Sequence, residues 1–345
     1  MCGNRRHGRS RGRCHLADAR ATGTPPSKVS ARTVEGRAPT LGSAAPHGAH
    51  HSEENPLRNY YRTAAVLALL VAGLAVPVTP AVAATALSGV HEEIAESLKN
   101  SDPSKTKVAT CTTGTVIGGN ATIVDGDGSV AISQIEPDIS TNTVTVTAKE
   151  TDKTDADWKV TARALCADKP AGLDRVHRIS QTNSDPKTLF PHCSGDQTLL
   201  SVGWKVEDGN GEILVNQVGV GTDGDAATSA SVSAREDGDY DGDWTLHAFL
   251  LCADPIAGQN VTYASTESNS IDEPKAFDAT CSNGQTATGG AAMAVSLDAA
   301  TQTELLLDSV YTHSLGGTFN SFQATAYEED TISDDWYLFV VAVCT

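Results

Sequence analysis

The residues of this 345-residue chain best suited to chemistry are carboxylates. The densest group is Asp237-Gly-Asp239-Tyr-Asp241-Gly242-Asp243, preceded by Glu236. Asp at loop positions 1, 3 and 5 with Gly at 6 opens a calcium loop, because oxygen ligands converge as the glycine turns the chain. Ala248 stands where such a loop carries its bidentate Glu. Glu236, at the end of the preceding strand, is the residue that could complete a calcium set of Glu236, Asp237, Asp239 and Asp241. A solvated acidic turn is the competing reading. Asp125-Gly-Asp127-Gly is a second acidic turn, and Asp-Gly turn chemistry alone explains it.

A Glu recurs three times, as Glu150, Glu236 and Glu328, each before an acidic loop. A carboxylate with inward parity needs partners, whether loop amides, a cation or a proton. A glycan hydrolase using Glu and Asp would need two carboxylates facing one sugar. Triplicating such a pair is not how an active site is built, so the Glu reads as structural. The five histidines from His91 to His313 sit in unrelated contexts. No Gly-x-Ser-x-Gly, His-Glu-x-x-His, phosphate loop or dinucleotide fingerprint is present. The expectation is a protein without catalysis and without a cofactor, calcium excepted.

What positions these residues is a repeat. Ala-x-Glu, seven residues, Trp, seven residues and Cys appear at Ala148/Glu150/Trp158/Cys166, Ala234/Glu236/Trp244/Cys252 and Ala326/Glu328/Trp336/Cys344. Residues of equal parity share a strand face. Trp158, Val160, Ala162, Ala164 and Cys166 fall on one face, and the other two copies repeat it. Val144, Val146 and Ala148 alternate against Thr143, Thr145 and Thr147. Each repeat thus ends in two half-buried strands joined by an acidic loop. Parity makes Trp158, Trp244 and Trp336 core residues rather than a sugar-stacking platform, and leaves Tyr240, Tyr311 and Tyr327 as the outward aromatics.

The repeats are 87–168, 169–254 and 255–345, each of five or six antiparallel strands with Asp-Gly and Asn-Gly turns. Asn100-Ser-Asp-Pro103 returns at Asn183-Ser-Asp-Pro186, and Lys105, Lys187 and Lys275 each precede the first Cys of their repeat by six residues. Repeat one begins ambiguously. Ser88, Glu92 and Glu93 with Val90, Ile94 and Leu98 predict a short helix or irregular start, although the other repeats argue for a strand. The class is all-β. Three tandem β-sandwich-like repeats are the first expectation, and a single three-fold β-prism-like body is the alternative.

Cys111 with Cys166, Cys193 with Cys252 and Cys281 with Cys344 recur at matched positions, which implies one intra-repeat disulfide each and an oxidising compartment. Closing loops of this size stabilises each unit by roughly 4 kcal/mol in the chain-entropy picture. Residues 1–86 hold 11 of the 25 Lys and Arg and 4 of the 43 Asp and Glu, leaving the remainder at −25. So acidic a body repels nucleic acid and anionic membranes.

Residues 1–57 read as a disordered basic leader or as sequence upstream of the true translation start. Residues 58–86 have the three parts of a secretory signal peptide: a basic start, the apolar run 63–76, and Ala81-Val82-Ala83. After cleavage no membrane span is expected, and the location is extracellular.

Cys111-Thr-Thr-Gly114…Gly118-Gly119, Cys281-Ser-Asn-Gly284…Gly289-Gly290 and Cys-Ala-Asp at Cys166 and Cys252 resemble a module of uncharacterised secreted actinobacterial proteins. Repeat two departs from it, with Ser201-Val202-Gly203 in place of Gly-Gly. The resemblance implies export and a β module, and carries no activity. The functional expectation is an extracellular binding or surface-associated protein whose partner is a polysaccharide or cell-wall component. Its alternative is a calcium-stabilised structural or adhesive protein. Oligomeric state is not legible.

Overall fold

The computed structural model describes residues 86–345 apart from Asp239, Asp272, Glu273, Asn283, Ala299, Ala300, Leu315, Gly316 and Gly317. The expected leader and, save Ala86, the expected signal peptide lie outside the described residues.

Period-two alternation produces six strands in each repeat. Repeat one contains β1 (His91–Glu96), β2 (Ser104–Thr110), β3 (Thr115–Val124), β4 (Val130–Asp138), β5 (Thr143–Glu150) and β6 (Lys159–Ala167). Repeat two contains β7 (Asp174–Ile179), β8 (Lys187–Leu189), β9 (Thr198–Glu207), β10 (Ile213–Asp223), β11 (Ala226–Glu236) and β12 (Thr245–Ala253). Repeat three contains β13 (Asn260–Ser265), β14 (Lys275–Thr280), β15 (Ala287–Ser296), β16 (Leu305–Ser314), β17 (Phe319–Glu328) and β18 (Trp336–Cys344), with a 3-10 turn at Thr301–Glu304.

The expected helical or irregular start of repeat one is instead β1, paired antiparallel with β6 from His91↔Cys166 to Glu96↔Thr161. A spacing of four fits a strand face as well as a helical stripe, so Val90, Ile94 and Leu98 could not decide between them. Ile94 and Leu98 are exposed, so no buried helical stripe exists, and the edge of β6 supplies the backbone partners.

The strands form three six-stranded antiparallel sheets, ordered β1-β6-β3-β16-β17-β14, β7-β12-β9-β4-β5-β2 and β13-β18-β15-β10-β11-β8. Each sheet takes its first three strands from one repeat and its last three from another. The joins are β3 with β16, β4 with β9 and β10 with β15. The sharing is cyclic, repeat one with two, two with three and three with one. Val144, Val146, Ala148, Trp158, Val160, Ala162, Ala164 and Cys166 are all fully buried, as parity predicts, and belong to a core cluster drawn from all three repeats.

The three disulfides are Cys111–Cys166, Cys193–Cys252 and Cys281–Cys344, with sequence separations of 55, 59 and 63. One bridge closes each repeat, as the matched cysteines require.

The Gly-Gly step has a physical reason. The third and sixth strands of every repeat pair with a bulge, which falls at Ile117, Leu200 and Thr288. In repeats one and three the glycine after the bulge lies against the bulge of another repeat. A Cβ on Gly118 would sit 2.5 Å from Thr288 O, and one on Gly289 would sit 2.7 Å from Leu200 O. Thr288 Oγ1 also donates to Leu200 O at 3.0 Å. Gly118→Ala must therefore push repeats one and three apart. Its expected cost is on the order of 2–3 kcal/mol, read as a lower urea midpoint with an unchanged slope.

Candidate functional site

The repeated Glu, Trp and Lys build one unit three times. Trp158 Nε1 donates to Glu150 Oε1 at 3.2 Å, Trp244 Nε1 donates to Glu236 Oε1 at 2.9 Å, and Trp336 Nε1 donates to Glu328 Oε1. All three indoles are fully buried. The Lys Nζ lies over the same ring, 3.4 Å from its centroid for Lys105, 3.6 Å for Lys187 and 4.4 Å for Lys275. Lys105 Nζ donates to Asn100 O and Asp102 O, Lys187 Nζ to Asn183 O and Asp185 O, and Lys275 Nζ to Asn269 Oδ1. Asn100, Asn183 and Asn269 in turn bridge by backbone to Trp158, Trp244 and Trp336. Burial lowers the pKa of all three lysines, against the pull of nearby carboxylates. The Asn-Ser-Asp-Pro turn and the Lys six residues before Cys thus belong to one device. An ammonium sits on the indole face, a carboxylate takes its N–H, and a turn supplies carbonyls.

The described members of the expected calcium set meet different surroundings. Glu236 faces the indole of Trp244, and Asp241 is exposed. Asp239 lies outside the described residues. Asp237 meets carboxylates of repeat three instead: the ligating atoms of Asp237, Glu304 and Glu329 all lie within 4.8 Å of one another. At the second acidic turn, Asp125 pairs with Lys99 at 2.6 Å, and Asp125 and Asp127 take left-handed backbone angles of 60° and 45°.

The sheets also carry three chemically different outer faces. In the sheet from β13 to β8, one row of directly opposed residues runs Ser265, Phe339, Met293, Gln217, Ser233 and Thr188. All six are exposed or half-buried. The equivalent row from β7 to β2 is Ile179, His247, Lys205, Gln134, Thr147 and Thr106. From β1 to β14 it is Glu96, Thr161, Thr122, Ser309, Thr325 and Ala276. Beside the first row Tyr263, 70% exposed, stacks on Phe339 with centroids 6.1 Å apart and planes at 22°. On the second, His177 stacks on Phe249 at 4.6 Å and meets His247 Nδ1 through its Nε2 at 3.1 Å, with Arg175 over Phe249 and paired to Glu136 at 2.6 Å. Burial, then the neighbouring His247 and Arg175, lowers the pKa of His177.

The aromatics expected to face outward are half-buried. Tyr240 donates to Asp208 O, Tyr311 to Gln323, and Tyr327 packs on Ala131, Leu214 and Leu306. Sequence reasoning missed Tyr263 with Phe339, and it missed the meeting of Asp237 with Glu304 and Glu329. Aligning the repeats on the Glu would have placed Thr151, Asp237 and Glu329 at one position.

Fold and site define an all-β protein of three disulfide-clipped repeats in which the repeated Glu and Trp support the core. No protein-family model matches the chain, and no curated protein matches it.

Proposed function

We propose that the protein is an exported, non-catalytic polysaccharide-binding protein, and that it holds its ligand on the sheet face from β13 to β8. The observation that carries this reading is the exposed Tyr263 stacked on Phe339, with Met293 and then the amide and hydroxyl side chains of Gln217, Ser233 and Thr188 running from them across the sheet. A sugar ring stacks its C–H face on an aromatic while its hydroxyls need hydrogen-bond partners, and this face offers both. At about 4.8 Å per strand the row reaches about 24 Å, which suits an extended chain rather than a single sugar. Gly219 and Gly221 keep the neighbouring surface low beside Ser231 and Ser229.

Export rests on the three disulfides and on the signal-peptide pattern of residues 58–86. The resemblance to secreted actinobacterial modules points the same way. Among the described residues no helix is long and apolar enough to cross a membrane. The engagement of Glu150, Glu236 and Glu328 by tryptophan favours binding over hydrolysis.

The test is depletion of the purified protein from solution by insoluble polysaccharides and isolated bacterial cell walls. One polymer is expected to retain it saturably, and Tyr263→Ala to weaken that retention roughly tenfold, a loss of about 1.4 kcal/mol. No retention by any polymer, or retention indifferent to Tyr263→Ala, overturns the proposal.

A further inference from the structure

We propose that Lys275 and Asn269 join in an isopeptide bond that the protein forms on itself, with Glu328 as the proton carrier. The three side chains meet at the device built on Trp336. Lys275 opens β14 opposite Ala326 of β17, and Glu328 stands two residues further along β17 on the same face. Lys275 and Glu328 are both buried. Trp336 Nε1 and Ile332 N donate to the two oxygens of Glu328 and fix the carboxylate. Lys275 Nζ donates to Asn269 Oδ1 at 2.5 Å. The amide carbon is one C=O bond of about 1.23 Å further on, so it lies within about 3.7 Å of the amine.

This contact belongs to repeat three. The turn from Asn to Lys advances five residues in repeat one, four in repeat two and six in repeat three. In the two shorter turns Lys105 and Lys187 reach backbone carbonyls. The Asn100 and Asn183 side chains donate instead to Asp102 and Asp185, each at 2.7 Å. The longer turn of repeat three presents the side-chain amide of Asn269 to the lysine.

The surroundings suit the reaction. Lysine attacks a carbonyl only as the free amine. Burial lowers the pKa of Lys275, against the charges of Glu328 and Asp335. Ile271 N donates to Asn269 Oδ1 at 3.4 Å, where negative charge gathers as the amine adds. The Nζ lone pair forms a bond to Asn269 Cγ, and Glu328 takes a proton from Nζ. The tetrahedral carbon then expels Nδ2, which receives that proton and leaves as ammonia. One C–N bond replaces another, so nothing is oxidised or reduced and no co-reactant is needed. Asn269 and Lys275 border an open cleft lined also by Thr266, Glu267, Ile271 and Pro274, which gives ammonia an exit. Asn269 bridges by backbone to Trp336 at the start of β18, whereas β14 is an edge strand of another sheet. The bond is therefore a covalent strap from one sheet to the next.

The experiment is mass spectrometry of the exported protein after reduction and alkylation, intact and after trypsin. The wild type is expected to weigh one ammonia less than its sequence. Trypsin is expected to leave residues 236–345 as one peptide, because it does not cut after an acylated lysine, and to cut after Lys105 and Lys187 as usual. Lys275→Arg and Glu328→Gln should each retain the ammonia and restore the cut after residue 275. Glu328→Gln keeps an acceptor for Trp336, and a far-ultraviolet dichroism spectrum matching the wild type shows that it folds. A wild type of full mass that is cut after Lys275 overturns the bond. Ammonia loss that persists in Lys275→Arg also overturns it, since the loss then comes from a succinimide at an Asn-Gly step. A bond that still forms in folded Glu328→Gln overturns the role of Glu328.

Discussion

Trp244→Ala is expected to destabilise the protein by about 4 kcal/mol in one cooperative unfolding transition. Three losses add at this position. The indole is fully buried, so truncation leaves a cavity lined by the core. Glu236 Oε1 loses its N–H donor. Lys187, itself buried, loses the ring face beneath its ammonium. Trp244→Phe separates these terms, since it restores most of the apolar volume and a ring for Lys187 but no donor for Glu236. Its expected cost is about half as large. The damage should spread beyond repeat two, because β9 continues into β4 of repeat one and β10 into β15 of repeat three. Urea unfolding followed by far-ultraviolet dichroism and by the remaining tryptophans should give coincident transitions. A first transition confined to one third of the signal would show that the repeats unfold separately.

The alternation of apolar and polar residues made the class, the closing hairpins and the three disulfides legible in the sequence, because these depend on local parity and on cysteines in matched pairs. Trp158, Val160, Ala162, Ala164 and Cys166 are inward as parity requires. Strand partners across repeats were not legible. Gln134 pairs with Lys205, and Gln217 with Met293, over separations that no local pattern encodes. The Gly-Gly motif was visible, but its reason, the bulge carbonyl of another repeat, was not. The start of repeat one was misread because a spacing of four serves both periodicities. At the candidate sites, the loop around Asp237 suggested calcium through its own residues. Its partners Glu304 and Glu329 come from repeat three, and only the fold brings them near.

The bulge of the fourth strand against the fifth gives the second large effect. It falls at Ser133, Asn216 and Asp308, one residue at the same place in each repeat. All three side chains are buried. Ser133 donates to Thr147 O and Asn216 to Gln302 O, so repeats one and two meet this position with neutral groups. Repeat three places a carboxyl there. Asp308 is 5% exposed and accepts a hydrogen bond from Ser309 Oγ at 2.7 Å. Burial pushes its pKa up from the usual 3.8 to about 7, the Ser309 bond opposing and the charge of Asp127 reinforcing the rise. Between those two values the folded protein holds a proton that the unfolded chain has released, so stability falls as pH rises from about 4 to about 7, and above 7 the loss is complete. A shift of this size corresponds to about 4 kcal/mol. Asp308→Asn introduces the residue that repeat two already carries. It should be nearly neutral at pH 4 and stabilising by a few kcal/mol at pH 8. The difference between variant and wild type in urea unfolding at these two pH values isolates Asp308, because every other titrating group is common to both. An equal difference at pH 4 and pH 8 would mean that Asp308 ionises freely in the fold and that burial does not govern it.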